Sequence, residues 1–256
     1  MNKKFKKVAI DAALKSGNFI KNSVGRIVSV SYKGRDNIVT DVDEKSEDIV
    51  IRMIRSHFPD HSILSEECGV IDRMSSYKWI IDPLDGTTNF AHAFPFFCVS
   101  IALEENGRVI LGVVYDPMRD ELFYAEAGKG AYLNSKPISV SKVKTLTDSF
   151  LATGFSYGAK RKDKNLKNFK RLLTRSMAVR RAGSAALDLS YVACGRFDGF
   201  WEMDLKPWDS AAGCLLVKEA KGNITKFNGS KYTIYDNNVL ATNGKIHSCM
   251  VKLLKT

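Results

Sequence analysis

Apolar positions along the chain fall into blocks whose spacing switches between helical and strand-like periods. Val8, Ala9, Ala12, Ala13, Phe19 and Ile20 recur at helical spacing, which predicts an amphipathic helix over residues 5–20, interrupted at Gly17. Ile49, Val50, Met53 and Ile54 predict a second helix, from near Asp43 to the stop at Pro59. Strand signals follow at residues 62–64, 79–81 and 97–104. Residues 109–115 and 121–125 are expected to be antiparallel neighbours joined around Asp116-Pro117. Further on, Leu166, Phe169, Leu172 and Leu173 are expected to share one face of a basic helix. Residues 184–194 predict another helix and residues 197–203 a strand. A helix over 208–220 is closed by Gly222, with late strands at 223–227 and 239–242. This order of mixed elements points to a layered α/β or α+β sandwich.

The chain has 256 residues and 45% hydrophobic content, enough for a sizeable core. It is expected to form a single domain over 1–256, with possible halves at 1–145 and 146–256. No run of 18 apolar residues occurs, which argues against a membrane span. The basic start resembles a signal peptide, but Asp11, Lys15 and Lys21 interrupt any apolar core, so a cytoplasmic location is expected. Five scattered cysteines without a C-x-x-C pair read as reduced and mostly buried. Four dispersed histidines without H-E-x-x-H give zinc chemistry little support. The net charge of +11 is uneven: between Gly158 and Gly183 ten Lys/Arg stand against one Asp. Such a segment suits attraction of anionic substrates or contact with nucleic acid, and equally a solvated helix face.

The candidate chemistry lies in carboxylates at element ends. In Trp79-Ile80-Ile81-Asp82-Pro83-Leu84-Asp85-Gly86-Thr87, an apolar strand runs into an acid, Pro83 ends regular pairing, and a second acid follows. A turn there would aim both carboxylates at one point, where they repel unless a cation or proton lies between them. Gly86 admits close backbone approach, and the Gly86 and Thr87 amides would offer donors to a phosphate oxygen. An ordinary Asp-rich turn accounts for the same residues. Glu66 and Glu67 follow Ile63-Leu64, Asp41 and Asp43 follow Ile38-Val39-Thr40, and Asp209 follows Trp208. Each has a plain reading as loop or helix cap. Together they make an all-oxygen donor set, which favours magnesium or manganese.

These residues carry a resemblance. Asp82 to Phe90 is similar to the first signature of the inositol monophosphatase family, and Trp208 to Gly213, ending in Glu219-Ala220-Lys221-Gly222, to its second. Val39-Thr40-x-x-Asp43, Ser65-Glu66-Glu67, Gly183-Ser184-Ala185-Ala186 and Glu202 match in order and spacing. The likeness covers nearly the whole chain. It implies the layered αβαβα sandwich of the magnesium- and lithium-sensitive sugar phosphatases, an α+β fold that is usually a homodimer. It also implies hydrolysis of a small phosphate monoester, myo-inositol monophosphate above all, with two to three Mg2+ per site and Mn2+ as a substitute. Glu66, Asp82, Leu84 (through its carbonyl), Asp85 and Asp209 would hold metal. Thr87 with Asp43 would position or deprotonate the attacking water, supported by Glu67. Asp85, Gly86, Thr87, Ser184, Ala185, Glu202 and Asp209 would face the substrate.

The same core would serve fructose 1,6-bisphosphate, histidinol phosphate or a 3'-phosphonucleotide, the choice lying with the walls near Glu202, Ser184 and residues 154–160. Some bacterial relatives are associated with RNA and transcription complexes, so a further partner of that kind is an alternative. Three departures stand out: Cys68 where a small polar residue is commoner, Lys221 within the second signature, and Asp41 as an extra acid, expected to face solvent or support the site.

Overall fold

In the computed structural model, residues 3–26, 30–32, 38–155 and 159–254 are described. The first half contributes α1 (Lys3–Ser23), β1 (Val30–Tyr32), β2 (Ile38–Thr40), α2 (Asp41–His57), β3 (Ser62–Ser65), β4 (Gly69–Ile71), β5 (Tyr77–Asp85), α3 (Thr87–Ala91), β6 (Cys98–Glu105), β7 (Arg108–Asp116), β8 (Glu121–Glu126), β9 (Ala131–Leu133) and β10 (Lys136–Ile138). The second contributes β11 (Phe150–Thr153), α4 (Ala159–Leu173), β12 (Ala178–Arg180), α5 (Ala185–Ala193), β13 (Gly199–Met203), α6 (Pro207–Glu219), β14 (Asn223–Thr225), β15 (Asn238–Thr242) and α7 (His247–Leu254). An eight-stranded sheet runs β10-β9-β8-β7-β6-β5-β3-β4, and a five-stranded sheet β12-β11-β13-β15-β14.

Helices cover both faces of each sheet. α1 and α2 pack on one face of the large sheet, α5 and α6 fill the space between the sheets, and α4 and α7 cover the far face of the small one. The order is the expected αβαβα sandwich. Neighbouring residues of one strand serve different layers: Trp79 and Ile81 join the core under α1 and α2, while Ile80 joins the core between the sheets. That two-sided burial makes such strands read as unbroken apolar runs.

Several boundaries differ from the sequence expectation, for local reasons. The first helix passes through Gly17, where a Cβ would stand 2.4 Å from the Tyr115 ring of β7; the glycine is a close-approach point between helix and sheet. α2 begins at Asp41, two residues early, because Thr40 is its N-cap: the Thr40 hydroxyl accepts from the Val42 amide, and the Asp43 carboxylate accepts from the Thr40 amide at 2.8 Å. β5 continues past Pro83 to Asp85, and its pairing with β6 shifts register between Asp82 and Asp85, so the proline sits in a bulge rather than at a strand end. On α4 the expected apolar face is half right: Leu172 is buried and Phe169 half-buried, but Leu166 and Leu173 are exposed, and Asn165 and Asn168 take the inward positions. All five cysteines are free, with Cys98 and Cys214 buried, Cys194 half-buried, and Cys68 and Cys249 exposed. Among the described residues, no helix is long and apolar enough to cross a membrane.

Candidate active site

The bulge in β5 builds the centre of the site. Asp82 is buried opposite Ser100 of β6, and its Oδ1 accepts from the Leu84 amide at 3.1 Å. Asp85 lies opposite Cys98, and Gly86 turns the chain with φ 99° into the short α3, a conformation that favours glycine. Space is short there too: a Cβ on Gly86 would stand 3.0 Å from the Phe96 carbonyl. α2 supports this turn from beneath, with Ser46 donating to the Pro83 carbonyl at 2.6 Å. Asn89 of α3 donates to the carbonyls of Phe96 and Ala182, which ties the turn to the loop leading into α5.

Glu66, Asp82, Leu84, Asp85, Gly86, Thr87, Ser184, Ala185, Glu202 and Asp209 all line one cavity of about 340 Å³, together with Gly154, Phe155, Arg181, Asp188 and Trp208. That volume lies within the range of small-molecule sites. Two of the expected residues do not line it. Asp43 is buried behind Thr87, whose hydroxyl donates to its Oδ1 at 2.9 Å and reaches the Leu84 carbonyl at 3.0 Å. Glu67 lies beside the cavity, and its amide donates to Glu47. Ser184 reaches the wall but its hydroxyl is committed: it donates to Asp85 Oδ2 at 2.6 Å, beside the Ala186 amide at 2.7 Å. Asp209 is the third residue of α6, in its first turn, and its carboxylate caps the helix as expected by accepting from the Lys206 amide at 2.7 Å while it also lines the cavity. Asp41 pairs with Lys45 at 2.7 Å on the surface of α2.

The carboxylates are held against their preference. Burial, then the fields of Glu66, Asp85 and Asp209, pushes Asp82 well above its ordinary range. Burial lifts Asp85 to about 6 despite its bonds to Ser184 and Ala186. Burial, then the charge of Asp85, lifts both Asp209 and Glu202 to about 8. Asp43 is raised by burial, with hydrogen bonds from Thr40 and Thr87 opposing. A cluster of this kind welcomes cations and donors, and its oxygen-only chemistry suits a hard metal.

Two acids escaped the sequence reading. Glu47, four residues after Asp43 on α2, is buried and accepts from the Ser65 hydroxyl and the Glu67 and Cys68 amides, so it holds the loop that carries Glu66. The i,i+4 spacing of two acids on an otherwise apolar helix face is the signal that was available. Asp188 lines the cavity from α5, is buried, and has no hydrogen-bond partner at Oδ1. Burial and the charge of Glu202 push it far above its ordinary value. An acid inside the apolar run Ala185–Ala193 was its signal. The wall expected at residues 154–160 is described through Phe155; residues 156–158 lie outside the described residues, and the side chains of Lys160, Arg161 and Lys162 are outside them as well.

Known proteins resemble this chain along its whole length. A family described as the inositol monophosphatase family matches residues 1–256. An inositol-1-monophosphatase of Synechocystis sp. is 45% identical over 243 residues, covering 94% of this chain and 85% of that protein. The Nus factor SuhB of Escherichia coli K12 is 44% identical over 248 residues, covering 95% and 93%. The crystal structure of the extragenic suppressor protein suhB from Bartonella henselae superposes with a TM-score of 0.95 at 40% identity, covering 98% of each chain. Fold, motif order and full-length similarity agree, and the chain belongs to the inositol monophosphatase family.

Proposed function

We propose that this chain hydrolyses a small phosphate monoester, inositol monophosphate first among them, using magnesium held by Glu66, Asp82, Asp85, Asp209 and the Leu84 carbonyl. The observation that carries this reading is the gathering of four acids from three separate segments at one cavity, with Asp82 buried in the field of the other three. Among the described residues, no three such side chains close a coordination shell by themselves. Magnesium asks for no such cage, because it keeps several waters and takes substrate phosphate as a ligand. Two to three ions per site, with manganese as a substitute, belong to the proposal, as do a cytoplasmic location and a homodimer.

When bound, the ions would neutralise phosphate charge and supply a deprotonated water near neutral pH. The protein's own share is positional. The Thr87 hydroxyl, already bonded to Asp43, would accept a hydrogen bond from the attacking water, with Asp43 as the proton acceptor behind it. Glu67 supports this network through the loop that Glu47 anchors. The amides of Gly86 and Thr87 would bind phosphate, while Ser184 holds Asp85 in line. Ala185, Glu202 and Asp209 face the leaving alcohol, where Glu202 would take a hydrogen bond from a hydroxyl. Fructose 1,6-bisphosphate, histidinol phosphate and 3'-phosphonucleotides are the competing substrates of the same core.

The test is Asp85→Asn, assayed after chelation with magnesium restored. Loss of a metal-holding charge is expected to slow turnover by roughly a thousand-fold. Near-normal turnover would remove Asp85 from the site. A second reading, contact with RNA or transcription machinery, is favoured by the basic segment between Gly158 and Gly183 and by the 44% identity to a protein named Nus factor SuhB. Salt-sensitive RNA binding by the purified protein would support it.

A further inference from the structure

We propose that Gly154 and Asn165 are positioning residues that fix the Glu202 carboxylate, so that a helix outside the metal centre sets recognition of the leaving alcohol. This rests on the reading of Glu202 as the acceptor for a polyol hydroxyl. β11 and β13 run parallel with Thr153 opposite Trp201, so the next residues, Gly154 and Glu202, lie side by side at the cavity wall. The Glu202 carboxylate lies against the face of Gly154 where a side chain would be. A Cβ there would stand 2.1 and 2.2 Å from its two oxygens and 2.3 Å from its carboxyl carbon. Only a hydrogen fits. Any larger residue must push the carboxylate out of its present place or shift the strand end.

Asn165 holds the other side of this contact. It is the buried amide that α4, otherwise rich in lysine, plants between the two strand ends. Its Nδ2 donates to the Gly154 carbonyl at 2.5 Å and to the Thr153 hydroxyl at 3.1 Å, and its Oδ1 accepts from the Trp201 indole at 2.8 Å. Thr153 in turn donates to the Trp201 carbonyl at 2.6 Å. The amide orientation follows from its partners, since an indole N–H only donates and a carbonyl only accepts. One side chain thus joins the residue before Glu202 to the residue on which Glu202 rests. A hydrophobic residue at 165 would leave the Trp201 N–H unpaired and the Gly154 carbonyl with only the Thr153 hydroxyl at 3.3 Å, and so loosen the wall.

The consequence is selective. A phosphate ester of a polyol reaches Glu202 through its hydroxyls, whereas an aryl phosphate has none to offer. Gly154→Ala, Asn165→Ser, Glu202→Gln and the double variant Gly154→Ala/Glu202→Gln would be assayed as magnesium-loaded enzymes on inositol 1-phosphate and on p-nitrophenyl phosphate. For Gly154→Ala and for Asn165→Ser the KM for inositol 1-phosphate is expected to rise about tenfold, as for loss of one hydrogen bond, with kcat held within about twofold. The aryl phosphate constants should stay close to wild type, and the double variant should be no worse than Glu202→Gln alone. Equal losses on both substrates, or additive losses in the double variant, overturn the proposal, as does a wild-type KM in Asn165→Ser should Gly154→Ala fail to fold. A polyol effect in Glu202→Gln without one at Gly154 and Asn165 defeats this inference alone. No polyol effect in Glu202→Gln defeats the underlying reading of Glu202 and this inference with it.

Discussion

At the scale of single residues, the site is a set of carboxyl groups kept where ionisation is costly. Glu202 has an ordinary value of 4.5 and is lifted to about 8 by burial and the charge of Asp85, with Arg181 opposing. Between those values the folded chain keeps a proton that the unfolded chain has released. Stability then falls as pH rises. Asp209, lifted to about 8, and Asp85, lifted to about 6, act in the same direction. Metal-free protein is therefore expected to lose thermal stability from about pH 5 to about pH 8. Glu202→Gln should flatten part of that slope, and magnesium should remove most of it by pairing with the ionised forms. Melting curves in chelator and in magnesium across this range check it; a melting temperature that climbs with pH in chelator would contradict it. Of these acids, Asp85 was legible in the sequence because it follows an apolar strand and Asp209 because it opens an apolar helix, while Glu202 came only from the family resemblance. Glu47 and Asp188 showed only as acids among apolar helix positions, and Asn165 not at all, because no local spacing announces the bond it accepts from the Trp201 indole.

At the scale of elements, the layer between the sheets depends on close backbone approach. Gly112 of β7 faces α6, where a Cβ would stand 2.8 Å from the Ala212 carbonyl oxygen and 2.9 Å from its Cα. On the other side of α6, a Cβ on Gly213 would stand 2.5 Å from Leu189 of α5. α6 also carries Asp209, so its seat on β7 places a site residue. Gly112→Ala is expected to destabilise the fold by about 1–3 kcal/mol, the usual cost of overpacking. Activity should fall as well, although no site side chain has changed. Denaturant melts and turnover of the folded fraction check both parts, and an unaltered midpoint would show that β7 and α6 part freely. Longer elements were legible from pattern alone: α1 and α2 by their helical periodicity, β6, β7 and β8 as apolar runs, and α6 as an apolar stretch closed by Gly222. Three-residue strands such as β4, β9, β10 and β12 were not, since a stretch that short carries no readable alternation and is held by its neighbours in the sheet.

At the scale of the whole molecule, charge is separated from chemistry: the cavity gathers acids, while the segment between Gly158 and Gly183 carries most of the net +11. Phe155 before this segment and Arg181 near its end both line the cavity, so the segment begins and ends beside it, although α4 itself lies on the far face of the small sheet. Lys164, Lys167, Lys170 and Arg175 are exposed along the segment. A dianionic phosphate ester approaching the acidic cavity would feel the positive field of this segment, and a field of that sign raises encounter rates without altering the chemical step. The field reaches only about 10 Å at 0.1 M salt. Replacing Lys164, Lys167 and Lys170 with Gln is therefore expected to lower kcat/KM several-fold at low ionic strength, as expected for lost steering. The difference should vanish as salt rises, and kcat should stay in place. The RNA reading makes a different forecast for the same variant: weaker, less salt-sensitive RNA binding with unaltered phosphatase kinetics. Stopped-flow or initial-rate measurements over a salt series, run beside an RNA-binding titration, separate the two. If neither kinetics nor RNA binding responds, the lysines of α4 only keep a solvated helix face wet, and both functional readings of the charge fall.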